Sequence, residues 1–239
     1  MTVTTTHLGY LVTGLCILTG MWLSVKAGKL TVAASVTAGI VGFLVLVGGG
    51  YAGLSLLVTF FVLGVLATRH QRANKAQVSG NEPDSEKRKA SQVLANGGVA
   101  AMVGLISLLD PTHRSLYVLM MAASLSAATA DTLSSELGTV YGKRFFNILH
   151  FRKEERGLDG VVSVEGTLLG LAGSTIIAGI YALFVGLDRG FLVIMITGTA
   201  GNLFDSVLGA ALERKQLLHN DLVNLFTTLF AALLVLLFR

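Results

Sequence analysis

The sequence predicts an all-α protein, a polytopic membrane bundle of about eight spans, and three observations predict it. Of the 239 residues 53% are hydrophobic and only 13% are charged, where a soluble globular domain carries about 25% charged residues. The mean hydropathy is +0.71. The apolar residues gather into runs of the roughly 17–25 residues that cross a bilayer, and the basic residues fall between these runs with a two-sided bias. The 28 glycines suit membrane helices, where small residues let backbones approach. The single cysteine, Cys16, leaves no intrachain disulfide and no thiolate metal cluster.

In chain order the candidate spans cover residues 8–25, 30–47, 51–68, 93–109, 116–135, 161–187, 191–212 and 222–238. No basic stretch precedes the run at Leu8, so a cleaved signal peptide is not expected. Gly48-Gly49-Gly50 joins the second and third spans as a tight hairpin. A polar segment rich in Lys, Arg, Asn, Ser and Glu joins the third and fourth. The expected organisation is one integral membrane domain over 1–239. Three accessory spans occupy 1–68, a cytoplasmic loop 69–92, and five spans carrying a site 93–239. No soluble domain, heptad pattern or internal repeat is visible.

With eight spans, Lys26, Lys29, Arg69, Arg72, Lys75, Lys87, Arg88, Lys89, Lys143, Arg144, Arg152, Lys153, Arg156, Arg214 and Lys215 share one side. Arg114, Arg189 and Arg239 take the other. The positive-inside rule places the first group in the cytoplasm and both termini outside. Losing one span would scramble that asymmetry, so the bias supports the count. The net charge of +4 then reflects topology, and no nucleic-acid partner is expected. The protein is expected in a cell membrane, the inner one if bacterial.

Five polar clusters map to cytoplasmic helix ends. Arg88, Gln92 and Asn96 enter the fourth span, with Asn96, Ala100 and Gly104 on one face. Ser124, Ala127, Ala128, Asp131 and Ser135 form a small or polar stripe ending the fifth. Glu136 lies one residue past that stripe, and Gly138 is expected to break the helix. Asp159-Gly160 through Ser163, Glu165 and Thr167 opens the sixth span. Gly198, Asn202, Asp205 and Gly209 share a face of the seventh, beside Ser206. Asn220, Asp221 and Asn224 open the eighth.

A carboxylate near hydrocarbon costs about 2.5–3.5 kcal/mol on insertion scales and defaults to a functional reading. The pattern points to a cytoplasm-facing cavity between spans four to eight. Asp131, Asp205 and Glu136 are the candidate ligands of Mg²⁺, which uses one or two carboxylates plus substrate phosphates. Glu165 joins them as a candidate catalytic residue. Arg88, Lys143 and Arg144 are candidate phosphate contacts. Gln92, Asn96, Ser135, Ser163, Asn202, Ser206, Asn220 and Asn224 are candidate nucleotide or substrate contacts. Ser163 and Asn220 read equally as helix N-caps, the asparagines equally as interhelical glue, and Gly166-x-x-x-Gly170 as a packing face. Asp110, Glu154 and Glu155 read as solvated loop charges. The five histidines sit at span ends or in loops, and no P-loop or Ser-His-Asp arrangement is present.

These clusters resemble an integral membrane family catalogued as domain of unknown function 92, or the transmembrane protein 19 family. The matching segments are Gln92-Val93-Leu94-Ala95-Asn96-Gly97, Ala130-Asp131-Thr132-Leu133-Ser134-Ser135-Glu136-Leu137-Gly138, Gly160-Val161-Val162-Ser163-Val164-Glu165-Gly166-Thr167, Asp205-Ser206-Val207-Leu208-Gly209-Ala210 and Asn220-Asp221-Leu222-Val223-Asn224. The family includes a plant and cyanobacterial phytyl-phosphate kinase. The resemblance implies phosphate transfer from a nucleoside triphosphate, CTP in the plant enzyme, to a prenyl monophosphate, with Mg²⁺ as cofactor. After Gly209-Ala210 the chain reads Ala211-Leu212-Glu213-Arg214, where a more polar, often Gln-containing continuation is expected. The competing readings are a cytidylyltransferase making a CDP-lipid, and a cation- or proton-coupled transporter or lipid flippase. A homo-oligomer is compatible with all of them.

Overall fold

The computed structural model describes residues 2–71 and 87–238, with backbone alone at 2–8, 10 and 11. Most of the expected 69–92 loop, with Arg72 and Lys75, therefore lies outside the described residues. Seven α-helices are described: α1 (Thr2–Lys26), α2 (Val32–Arg69), α3 (Ala90–Leu109), α4 (Arg114–Tyr141), α5 (Val164–Val185), α6 (Arg189–Leu208) and α7 (Asn220–Leu234). The chain is an all-α membrane helix bundle. Six of the described helices are long and apolar enough to cross a membrane, with α2 counted once, and the apolar part of α1, Val12–Lys26, is shorter. Exposed leucines and aromatics such as Leu18, Leu66, Leu168 and Leu183 cover the outside of the bundle, where lipid replaces water.

A straight helix of the 38 residues of α2 would be about 57 Å long, almost twice the roughly 30 Å hydrocarbon core. The chain reverses at Gly50 instead, with φ 67° and ψ −159°, a conformation open essentially to glycine alone. The two arms, 32–49 and 51–69, then run side by side. Gly53 faces Val45, and Leu57 reaches Gly42. The first arm also packs backbone to backbone on α3. A Cβ on Gly48 would lie 2.1 Å from the Gly104 carbonyl oxygen, and the Ser107 hydroxyl donates to the Gly48 carbonyl at 3.0 Å.

α4 is the central helix and packs on α2, α3, α5, α6 and α7. Met120 through Ala130 is buried without a break. Alanine, serine and threonine dominate that run, because a helix surrounded on every side has room for little else. Its contacts set the register of its neighbours. α6 runs parallel to it, with Gly198 on Ser126 and Gly201 on Ala127. α5 runs antiparallel, with Gly166 on Gly138, Gly170 on the Ala130 carbonyl and Gly173 on Thr129. The Gly166-x-x-x-Gly170 face is thus a packing face.

The structure corrects three expectations. α4 does not break at Gly138 but continues to Tyr141, where Gly142 in an extended conformation ends it. The fold includes a little sheet: Phe145–Asn147 (β1) pairs antiparallel with Val161–Ser163 (β2), so α5, the helix of the expected sixth span, begins at Val164 rather than Val161. Ser163 is its N-cap, accepting from the Gly166 N–H at 3.0 Å. Asn220 is not a cap, since α7 begins on it with His219 in the cap position. A π-helical turn, Gly209–Glu213, continues α6.

The glycine contacts make a stability prediction. Gly48→Ala places its methyl group against backbone that cannot give, and overpacking of this kind costs typically about 1–3 kcal/mol. Gly179→Ala, with nothing within 4 Å of its Cβ, is expected to be neutral or slightly stabilising. Thermal unfolding midpoints of the two purified variants in the same detergent check the contrast.

Candidate functional site

A cavity of about 660 Å³ opens where α2, α3, α4, α6 and α7 meet the 157–163 loop. Depth along the helices places it. Asp131 lies about 26 Å along α4 from Arg114, and Asp205 about 24 Å along α6 from Arg189, by helical rise. Both carboxylates therefore stand at one level, toward the far side of a roughly 30 Å hydrocarbon core.

One wall is acidic. The parallel register of α4 and α6 brings the Asp131 and Asp205 carboxyls within hydrogen-bonding reach of each other. The Thr227 hydroxyl of α7 donates to Asp205 Oδ2 at 3.0 Å. The charges of Glu213 and Glu136 are also felt at Asp131. Two adjacent carboxylates repel unless a proton or a cation lies between them. Among the described residues no group of three or more His, Cys, Asp or Glu side chains is arranged to hold a metal ion. The expected set of Asp131, Asp205 and Glu136 does not assemble. Because α4 stays helical past Gly138, Glu136 turns toward α2, where its Oε1 accepts from the Thr68 hydroxyl at 2.8 Å. A Mg²⁺ ion that completes its shell with substrate phosphates and water needs only one or two carboxylates, and the Asp131–Asp205 pair meets that requirement.

The part of the lining formed by Arg88 is cationic. Arg88 precedes α3 and is held by its backbone: its N–H donates to the Lys29 carbonyl at 3.1 Å, and its own carbonyl accepts from the Thr31 N–H at 3.2 Å. Its guanidinium lies against Gly64 of α2. Burial draws its pKa below the usual arginine value, and the Glu136 carboxylate opposes that shift; a guanidinium keeps its charge regardless.

The cavity lining includes Arg88, Gln92, Asn96, Asp131, Ser135, Glu136, Ser163, Asn202, Asp205, Ser206, Asn220 and Asn224. Their hydrogen bonds divide them. The Ser135 and Ser206 hydroxyls donate to the carbonyls of Asp131 and Asn202 one turn back, at 2.8 and 3.3 Å. Their protons are therefore directed away from any phosphate. Gln92 Oε1 accepts from the Lys89 N–H at 2.9 Å, which leaves its amide NH₂ as the group to donate. Asn96 and Asn224 each commit one amide hydrogen, to the Gln92 carbonyl and to Asn220 Oδ1, and each keeps a second. Asn202 is buried at 2% exposure against Gly170.

Glu165, Lys143 and Arg144 do not line the cavity. Gly142 turns the chain away, Lys143 and Arg144 are exposed, and Glu165 accepts the backbone N–H of Lys143 at 3.4 Å. Glu165 thus tethers the loop after α4. Six carboxylate or hydroxyl residues line the cavity that the sequence reading did not select: Thr68, Thr132, Ser134, Thr139, Asp159 and Glu213. Glu213 arrives through the π-turn, in the stretch whose apolar look departs from the expected polar continuation. Asp159 sits in a noted motif and was passed over for Ser163 and Glu165. Thr68 carries no signal in a long apolar span.

The loop over the cavity is locked by Arg214, which donates from Nε to the Asp159 carbonyl and pairs with Glu154 at 2.7 Å. Gly160, at φ +70°, lies so close on Ala210 that any side chain would collide with it. Glu154 is therefore no free loop charge. Asp110 is not one either, since its Oδ2 binds His113 Nδ1 at 2.7 Å and the Tyr117 hydroxyl at 2.8 Å.

The hydrogen bond from Arg214 holds the Glu154 carboxyl below its ordinary value of 4.5. A depressed carboxylate contributes stability that is present above the unfolded pKa and lost as pH falls through the folded one. Wild-type thermal stability is expected to fall more steeply than that of Glu154→Gln below about pH 4.5, and the two to run parallel above it. Unfolding midpoints across an acid pH series read this directly.

The family described as integral membrane protein DUF92 matches residues 15–232. An uncharacterized membrane protein of Methanocaldococcus jannaschii is 35% identical over 199 residues, 82% of this chain and 79% of that protein. Another of Synechocystis is 30% identical over 197 residues, 81% of this chain and 76% of that protein. Protein VTE6, chloroplastic, of Arabidopsis thaliana is 29% identical over 198 residues, 80% of this chain and 59% of that protein. No solved structure matches the chain. With its matched region running from the middle of the first helix to the last, the chain is a multi-pass member of the DUF92 family of integral membrane proteins.

Proposed function

We propose that the protein is a kinase that transfers the γ-phosphate of a nucleoside triphosphate, CTP as the first donor to test, to a prenyl monophosphate. The observation that carries this reading is one cavity at the membrane boundary whose lining holds both the Asp131–Asp205 carboxylate pair and the half-buried Arg88. Family membership and the motif resemblance to a phytyl-phosphate kinase support it. The basic residues near the cavity mouth, including Arg88 and Arg214, favour an opening to the cytoplasm, with both termini outside.

Asp131 and Asp205 are the residues suited to hold Mg²⁺, which when bound neutralises triphosphate charge and orients the chain of phosphates. Glu213 adds negative potential on that side. Arg88 binds the acceptor monophosphate, with Gln92 and Asn96 donating their remaining amide hydrogens. Asn202 and Asn224 are placed to donate to the nucleotide. A monophosphate oxygen of the acceptor forms a new bond to the γ-phosphorus while the bond from the γ-phosphorus to the β–γ bridging oxygen breaks. The products are a nucleoside diphosphate and a prenyl diphosphate. The acceptor is already an anion, so no side chain must take its proton; positioning and charge neutralisation do most of the work in such transfers.

The test is transfer of label from γ-³²P-CTP to geranylgeranyl or phytyl monophosphate by the purified protein with Mg²⁺. Label is expected in the lipid diphosphate, and Asp131→Asn and Asp205→Asn are each expected to lower kcat by about 10²-fold or more. Lipid labelled from α-³²P-CTP instead identifies a cytidylyltransferase. Nucleotide-independent lipid movement in proteoliposomes identifies a flippase.

A further inference from the structure

A second cavity, about 270 Å³, lies between α1, the α2 hairpin and the start of α3. Its character is opposite to the first. Side chains such as Ile17, Leu57 and Phe61 line it, the mostly apolar wall with few polar groups that suits a hydrophobic ligand. α1 is pinned to the hairpin near both ends of the cleft. The Ser35 hydroxyl donates to the Met21 carbonyl at 3.0 Å, and Thr13 and Tyr51 hydroxyls meet at 3.3 Å. Between these points nothing lies within 4 Å of the Gly20 Cβ position, and the cleft stays open there.

Two features say what fits. Arg88, Gln92 and Asn96 line both cavities, so the apolar cleft ends at the cationic wall of the polar one. The cleft's lining on α1 runs from Thr13 to Ser24, about 16 Å by helical rise, close to half of the roughly 30 Å hydrocarbon thickness.

We propose that this cleft is the tail channel of the lipid substrate: an isoprenoid monophosphate lies along α1 with its head at Arg88, its phosphate in the polar cavity and its tail between α1 and the hairpin. The proposal rests on the prenyl-phosphate reading and names where that substrate sits. A terminal phosphate on a single tail can pass the Arg88 junction and project into the cavity. A phospholipid, with its phosphate esterified on both sides and two tails, leaves no free phosphate end to do so. Tail length is then read by how far the chain extends from Arg88 toward Thr13, and Gly20 is the position on α1 where a larger side chain would block it.

The experiment uses the full chain in nanodiscs and a geranylgeranyl monophosphate bearing a diazirine at the tail end. On irradiation, label is expected on peptides covering 13–20 or 54–61, competed by unlabelled geranylgeranyl monophosphate and untouched by inorganic phosphate. In addition, Gly20→Phe is expected to raise the Kd for geranylgeranyl monophosphate about tenfold, while Leu168→Phe on an outward face leaves it unchanged. Label spread over outward faces such as that of Leu168 and Leu183, and insensitive to competitor, means bulk lipid only and overturns the proposal; so does a Gly20→Phe variant that binds geranylgeranyl monophosphate as tightly as the wild type. Photolabelling reads binding without turnover. Label in the cleft with no γ-phosphate transfer upholds the channel and removes the kinase, while transfer without cleft labelling does the reverse.

Discussion

The structure depends on α4 being buried on every side. Five neighbours close on it from Met120 to Ala130, and they can do so only because its side chains there are small. In lipid no hydrophobic force drives helices together, so close van der Waals packing must. That packing also sets position. Gly198 sits so tightly on Ser126 and Gly201 on Ala127 that α6 cannot slide along α4 without collision. The next contacts in that parallel register are Asp131 and Asp205. The meeting of the two carboxylates is thus a consequence of alanines and glycines one and two turns deeper in the membrane.

The same constraint explains why the cavity lies where it does. Asp131 is the first residue of α4 after its unbroken buried run, so the bundle begins to open at that level. The space is kept by a covering that is itself rigid. The 157–163 loop is held to α6 by Gly160 on Ala210 and by the two bonds of Arg214. The π-turn that presents Ala210 and Arg214 also swings Glu213 into the cavity; such turns inside helices are frequent at functional sites. Arg88 is fixed by backbone pairing to Lys29 and Thr31, so its charge enters the cavity lining from a defined place, where the Glu136 carboxylate acts on it.

Much of this was legible in the residues. Hydropathy and composition predicted the helical membrane bundle, and the small-and-polar stripes on residues 124–135 and 198–209 pointed to one polar cavity between spans four to eight. Twelve of the residues selected from the sequence line one cavity. What escaped depends on tertiary structure. Glu136 could not be aimed while the end of its helix was uncertain; with the helix running to Tyr141 it turns to Thr68. Three-residue strands at 145–147 and 161–163 are too short to show an alternation, and each exists only because the other is there. The Arg88–Leu30 bridge joins segments far apart in sequence. Ser135 and Ser206 have the right position and the wrong hydrogen bond, since a helical hydroxyl readily returns its proton to the carbonyl one turn back.

The bundle thus has two kinds of interior. Around α4 the helices touch through backbone and methyl groups, which leaves no room for a ligand until the polar level is reached. Between α1 and the α2 hairpin the side chains are large, the contacts are few and a cleft remains open along one leaflet's depth. The two interiors meet at Arg88. A polar ligand entering from the aqueous side and an apolar one entering from lipid therefore reach the same guanidinium from opposite directions, each without crossing the other's medium. On the proposed kinase reading, that arrangement would bring a water-soluble phosphate donor and a membrane-bound phosphate acceptor together while the tail of the acceptor stays in an apolar environment. It also gives Arg88 a reason to sit half-buried between two cavities, lining both, rather than fully displayed at the surface.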